Sequence, residues 1–332
     1  IRYKERMSFM KMKKLALCVM VWCLGLASSF AVSDGEIHAR AAVLMDAKTG
    51  EVLYSKNGDE KLYPGGTTMI MTALLGAEAG DTVLDGAVHF SDDVTKLDRD
   101  VAVLGISADH PVTLRNALTA MMTYTGCDAA LDTAVTIAPS VADFVHMMND
   151  KAVTIGATNT HFTNPHGLPD TNHVSTAKDL AKIAVYAMQN QTFKSFTGRT
   201  SFVMPYTNGG SQEVFSMNEF LNSGYKGANG IKTGATDYGG ATLVASATRG
   251  DKTYVVSILN SDNRSGDAKL LMDFAFAETT AIDAVSKEDG KSAVAEKKEN
   301  KTTPEEDAEA YTLRDAPEGQ TLTGIAAQHI SK

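Results

Sequence analysis

The sequence predicts an α+β fold: an antiparallel sheet flanked by helices, with a helical subdomain between its strands. Three observations carry this. Strand-like runs stand near the start, at Arg40–Met45 and Glu51–Tyr54. β-Branched runs stand near the end, at Thr200–Met204, Thr242–Thr248 and Thr253–Leu259. Between them, apolar residues recur at helical spacing. Strands from both ends share one sheet only if the ends meet in space, with helices covering it.

The 332 residues and net charge of −9 bound the function classes. The length suits one domain of about 250 residues or two intimate subdomains. The acidic balance argues against nucleic acid as a partner. Lys11, Lys13 and Lys14 precede an apolar run, Leu15 to Leu26, followed by Ser29-Phe30-Ala31. A basic region, a short apolar region and a small-residue cleavage site, in that order, read as a secretory signal cut after Ala31. An uncleaved anchor or a buried helix is the plainer alternative, although the run is short for a membrane span. Export to a periplasmic or extracellular place in the cell envelope is therefore expected. Residues ahead of Met10 or Met12 read as an upstream extension. Cys18 and Cys23 would leave with the signal, so Cys127 could form no internal disulfide.

Taken in order, Asp46-Ala47-Lys48-Thr49-Gly50 supplies hairpin chemistry between the first two strands. Tyr63-Pro64-Gly65-Gly66 is a turn, and from Thr67 the pattern is helical through Met71, Leu74 and Leu75 to Gly80. Leu114, Leu118, Met121, Met122, Leu131 and Val135 form a helical region broken at Thr125-Gly126. Phe144–Ala152 is a further amphipathic helix. His161–His173 is a loop, and Ser175-Thr176 caps a helix from Ala177 to Met188. Arg249-Gly250-Asp251-Lys252 reads as a hairpin turn rather than an adhesion motif, and Lys269–Ala277 as a closing helix. From Ser286 to Ala310 the composition turns to Lys, Glu, Asp, Ala and Thr without an aromatic residue, as in a linker. The expected organisation is an extension and signal over 1–31, one domain over 32–280, a charged linker over 281–310, and a tail or further module over 311–332.

A glycine turn running into a buried helix is where many enzymes mount a nucleophile. Here that turn reads Gly66-Thr67-Thr68-Met69, with no serine, cysteine, lysine or histidine. Gly230-Ile231-Lys232-Thr233-Gly234 precedes the strand Thr242–Thr248. A lysine, a hydroxyl and a small residue on an edge strand can hold an anion: Lys232 gives charge, Thr233 a hydrogen bond, Gly234 close approach to the backbone. Alone the triplet is weak, and a solvated strand edge explains it as well. Its weight comes from Thr125-Gly126-Cys127 and the Gly66 turn, which share the chain order of the S-x-x-K, S-D-N and K-T-G set.

In these blocks the sequence resembles the serine-type D-alanyl-D-alanine carboxypeptidases, the low-molecular-mass penicillin-binding proteins. The likeness runs from about Arg40 to Ala277 through AAVLMDAKTGEVLY, YPGGTTMIMTALL, TGCDAA, NTHFTNPHGL and GIKTGATDYGGATLVASATRG. It implies the penicillin-binding, β-lactamase-like transpeptidase fold and a peptidoglycan stem peptide ending in D-Ala-D-Ala as partner. It also implies that Gly66 and Met69 stand where the family carries its nucleophilic serine and general-base lysine. Thr125 keeps a hydroxyl of the second motif, and Cys127 replaces its amide. Lys232, Thr233 and Gly234 match the substrate-binding motif. The expectation is a pseudoenzyme that keeps stem-peptide recognition; the alternatives are a working carboxypeptidase, a β-lactamase, or a scaffold that binds nothing. Thr67, Thr68 and Cys127 are the substitute nucleophiles to weigh. His161, His166 and His173 lack a standard zinc spacing, so no metal and no cofactor are expected. Membrane association is expected only through a missing or short C-terminal segment.

Overall fold

Two strands from the start of the chain and three from its end make one antiparallel sheet in the computed structural model, which describes residues 32–277 and 279. The expected signal, the charged linker and the tail lie outside the described residues. The strands are β1 (Ala41–Asp46), β2 (Val52–Lys56), β5 (Ala228–Thr236), β6 (Gly240–Arg249) and β7 (Lys252–Leu259), in the order β2-β1-β7-β6-β5. β1 therefore pairs across the whole chain, with Val43 opposite Ser257. β5 is an edge, with Lys232 opposite Val244. The β1–β2 turn is closed by Asp46 Oδ1, which accepts from the amides of Lys48 and Thr49 at 2.8 and 2.9 Å. Arg249-Gly250-Asp251 is the β6–β7 turn, as hairpin chemistry requires.

Alternation along the strands divides the core in two. Val43, Met45, Val244 and Val255 face the helical layer. Leu44, Leu243, Val256 and Ile258 face a final helix over 264–277, packing with its Leu271 and Met272. Asp267 in that helix accepts from the amides of His38 and Ala39 and from Ser261 Oγ, joining the segment before β1 to the chain's last described element.

The helical layer is built around α1 (Met69–Glu78), in which every residue from Met69 to Ala77 is buried. A helix apolar on all sides belongs in a core. Around it lie α2 (Leu114–Thr123), α3 (Cys127–Ile137), α4 (Val141–Ile155), α5 (Ala177–Ala187) and α6 (Gln191–Phe196). Their starts are set by capping hydroxyls or amides: Thr113, Ser140, Thr176 and Asn190 each accept from a backbone N–H in the first turn. Gly156, at φ +81°, ends α4.

Three elements differ from the sequence expectation. The helix expected at Thr67 begins as a 3₁₀ turn, Gly65–Thr68, before α1. The Thr200–Met204 run is β3 (Ser201–Pro205) and joins β4 (Ser211–Phe215) in a separate two-stranded sheet, not the main one. The closing helix starts at residue 264, five residues before Lys269, because Asp267 and Asn263 organise its first turn. No helix among the described residues is long and apolar enough to cross a membrane.

Candidate functional site

The Pro64–Thr68 turn is pinned from three sides. Thr67 Oγ1 and Thr242 Oγ1 both donate to Pro64 O, at 2.7 and 3.1 Å. Thr72 Oγ1 donates to Pro165 O at 2.6 Å. Thr163 N donates to His173 Nδ1, so the ring proton sits on Nε2 and is shared with Thr68 Oγ1 at 2.8 Å. Gly167, at φ +84°, passes so close that a Cβ there would overlap Gly65 O. Only glycine allows that approach.

Against this turn opens a cleft of about 590 Å³, into which four elements bring Gly66, Met69, Thr125, Cys127, Thr233 and Gly234. The structure thus gathers the three motifs that lie far apart in sequence. Gly66 and Met69 come from the turn and the start of α1. Thr125 and Cys127 come from the α2–α3 break, and Thr233 and Gly234 from β5.

Lys232 is placed differently from the expectation. Its side chain is not a wall of the cleft but lies beneath it, 1% exposed. Its Nζ donates to Tyr124 O and Thr125 Oγ1, both at 2.9 Å. Among the described residues no carboxylate pairs with it. Burial brings its pKa down to about 7, opposed by a pull upward from Cys127, with Arg264 adding a smaller push downward. It meets the cleft through the Thr125 hydroxyl rather than as a lining side chain. Thr233 Oγ1 makes only a long 3.4 Å contact with Met217 O and remains available at the cleft.

Candidate nucleophiles are few. Thr67 and Thr68 are fully buried, with hydroxyls engaged as above. Burial, reinforced by Asp128, pushes the Cys127 thiol up to about 12, and the nearby Lys232 does not offset this. At neutral pH the thiol is protonated and weakly nucleophilic. The Met69 thioether accepts no proton at neutral pH.

The three histidines have separate tasks. His161 Nδ1 meets Asn172 O at 2.9 Å, His166 Nδ1 accepts from Leu168 N at 3.1 Å, and His173 holds Thr68. Among the described residues no three His, Cys, Asp or Glu side chains are grouped to hold a metal ion.

Sequence reasoning missed two anchors. Arg264 lines the cleft, donates to Gly234 O at 2.6 Å and Thr242 O at 3.1 Å, and is paired with Glu219. It fixes β5 and sets a second cation near Lys232; a lone arginine in Ser-Asp-Asn-Arg has no motif to mark it. Asp128, buried at the start of α3, accepts from the amides of Leu104, Gly105 and Ile106. It thereby holds the segment whose Asp98, Asp100 and Val101 form the front of the cleft. The acidic residue in the first turn of α3 was visible, but its partners twenty residues upstream were not.

Comparison with known proteins agrees with this architecture. Residues 28–263 match the model of the peptidase S11 family, D-alanyl-D-alanine carboxypeptidase. The chain is 30% identical over 283 residues to the D-alanyl-D-alanine carboxypeptidase DacF of Bacillus subtilis, covering 80% of this chain and 72% of the relative. It is 34% identical over 276 residues to a D-alanyl-D-alanine carboxypeptidase of Streptomyces sp. strain K15, covering 76% and 92%. The crystal structure of the Streptomyces K15 DD-transpeptidase superposes with a TM-score of 0.66 at 30% identity, over 74% of this chain and 100% of that one. A D-alanyl-D-alanine carboxypeptidase structure from Mycobacterium tuberculosis gives 0.68 at 30% identity, over 76% and 95%. The antiparallel sheet with its helical subdomain is thus the penicillin-binding transpeptidase fold, and the chain belongs to the D-alanyl-D-alanine carboxypeptidase family.

Proposed function

We propose that this protein is an exported pseudoenzyme of the cell envelope that retains recognition of peptidoglycan stem peptides ending in D-Ala-D-Ala. One observation carries the reading: a cleft of family architecture whose floor, at Gly66 and Met69, offers neither an attacking oxygen nor a proton acceptor. Acylation by nucleophilic catalysis needs both, within hydrogen-bond reach of each other. Thr67, Thr68 and Cys127 do not supply them, for the reasons of burial and protonation above. Recognition has better support. Thr233 and Gly234 line the cleft, and the Arg264 guanidinium and the Lys232 amine lie next to them, cationic groups of the kind that suit a terminal carboxylate. Family members act on such termini, which lends the reading its substrate class.

Isothermal titration with a D-Ala-D-Ala peptide tests recognition. Heat is expected for the wild type and loss of most of it for Lys232→Ala; no heat, or equal heat for both, would overturn the reading.

A working carboxypeptidase is the second reading, and one observation favours it. Thr125 Oγ1, on the cleft wall, lies 2.9 Å from the Lys232 amine, whose pKa near 7 leaves a neutral fraction able to take a proton. Against this, the amine is placed as donor to both Tyr124 O and Thr125 Oγ1, the arrangement of a protonated lysine rather than of a base. Fluorescent penicillin separates the two readings: a covalent adduct, mapped to Thr125 by mass spectrometry, would establish the second.

A further inference from the structure

The segment Asn164–Leu168 is a small rigid clamp. Gly167 N donates to Asn164 Oδ1 at 2.7 Å, and Asn164 Nδ2 donates to Leu168 O at 3.0 Å. Pro165 O is held by Thr72 of α1, and Gly167 presses on Gly65 O without room for a side chain. His166 is therefore mounted on backbone fixed to the same turn that carries Gly66. Its ring lines the 590 Å³ cleft and also an adjoining cavity of about 340 Å³. Leu168 N donates to Nδ1, so the ring's proton resides on Nε2. Among the described residues that Nε2–H has no hydrogen-bond partner.

The ring is half-buried at the cleft wall, so this donor is open to an acceptor that enters the cleft. We propose that His166 is a ligand-contact residue, whose Nε2–H is a fixed, uncharged donor to a backbone carbonyl of the peptide bound in the cleft. The inference rests on the stem-peptide reading and adds a determinant to it. An amide carbonyl fits better than a carboxylate or an ammonium. Burial holds the ring's pKa down at about 4, so the imidazole is neutral at physiological pH and offers direction without charge. The charged work is left to Arg264 and Lys232. This gives the cleft two separable readings of a peptide: charge at its terminus, and amide geometry along its backbone.

The test uses nitrogen-15-labelled protein and a stem-type peptide ending in D-Ala-D-Ala. In long-range nitrogen–proton spectra His166 is expected as the Nε2–H tautomer, without titrating between about pH 5.5 and 8.5. Saturating peptide should move its Nε2–H signal downfield and slow its exchange with water. His166→Asn keeps an acceptor for Leu168 N and removes the far donor. It should melt with the wild type and bind the peptide roughly three- to tenfold more weakly, the worth of one neutral hydrogen bond. An unmoved His166 signal on saturation, or equal affinity in a His166→Asn variant that melts normally, overturns the proposal while leaving stem-peptide binding intact. If the variant melts lower, the Nε2–H signal alone decides. Absence of any binding by wild type overturns both.

Discussion

Gly66 and Thr233 meet backbone to backbone: a Cβ added to Gly66 would lie 2.9 Å from Thr233 O and 3.2 Å from Gly234 Cα. From the other side, a Cβ on Gly234 would collide with Gly66 N. The edge strand has settled against the turn at the spot where the family resemblance puts a serine. A side chain at position 66 would therefore press on β5.

Restoring the pair Gly66→Ser with Met69→Lys must move β5 outward by a few tenths of an ångström. Gly66→Ser alone is expected to lower stability by roughly 1–3 kcal/mol, the usual range for overpacking, read by urea denaturation. The double variant is expected to be labelled by fluorescent penicillin and to release D-alanine, and the wild type is expected to do neither. Silence of a folded double variant would implicate Cys127, or the tight contact of β5 with the turn, instead.

Gly167→Ala is expected to be far more damaging. It combines an unfavourable φ of +84° with overlap on the carbonyl of Gly65, neither of which a flexible side chain can relieve. A loss of about 3 kcal/mol or more follows, with loss of peptide binding because His166 and the Gly65–Thr68 turn shift together. Chemical denaturation beside a binding assay checks both; a variant within 1 kcal/mol of wild type, on the same order-of-magnitude scale, would refute the clamp.

Lys232 gives a pH-dependent prediction. Its pKa falls from the ordinary 10.5 to about 7 through burial, so between those values the unfolded chain holds more protons than the folded one. Stability therefore rises as pH climbs from 7 to 10, and the burden of the buried amine is greatest below 7. Lys232→Met is expected to melt higher relative to wild type at pH 6 than at pH 10. Calorimetric Tm values across that range would contradict this if the difference were constant.

Asp132 behaves with the opposite sign. Burial, only partly offset by the amide of Ser91 at 2.8 Å, raises its pKa from 3.8 to about 7, with Asp128 adding to the rise. Its favourable state is the protonated one, present in full below pH 4 and lost as pH rises through 7. Asp132→Asn can still accept from Ser91 and should raise Tm at pH 8 with little change at pH 4. Equal shifts at the two pH values would show that ionisation is not the cause.

The main sheet and the helical layer were legible because period-two and helical patterns survive wherever one face is buried. β4 was not: Ser211-Gln212-Glu213-Val214-Phe215 is largely polar and belongs to a small, mostly exposed hairpin. The three site motifs were legible from their order. The depth of Lys232, the neutral state of His166 and the reach of Arg264 were not, because each depends on neighbours more than twenty residues away or on burial that one sequence does not display. Even Met69, the plainest oddity in the motif, revealed only a missing base, not the tight contact between Gly66 and β5.

The pairing of β1 with β7, more than two hundred positions apart, has a consequence for biogenesis. During synthesis the first strand emerges long before its central neighbour exists, so its hydrogen-bonding edge stays unmatched until nearly all of the described chain has been made. Topologies dominated by such distant contacts fold slowly and leave sticky intermediates. A chain with this wiring cannot complete its main sheet until most of it has been translated.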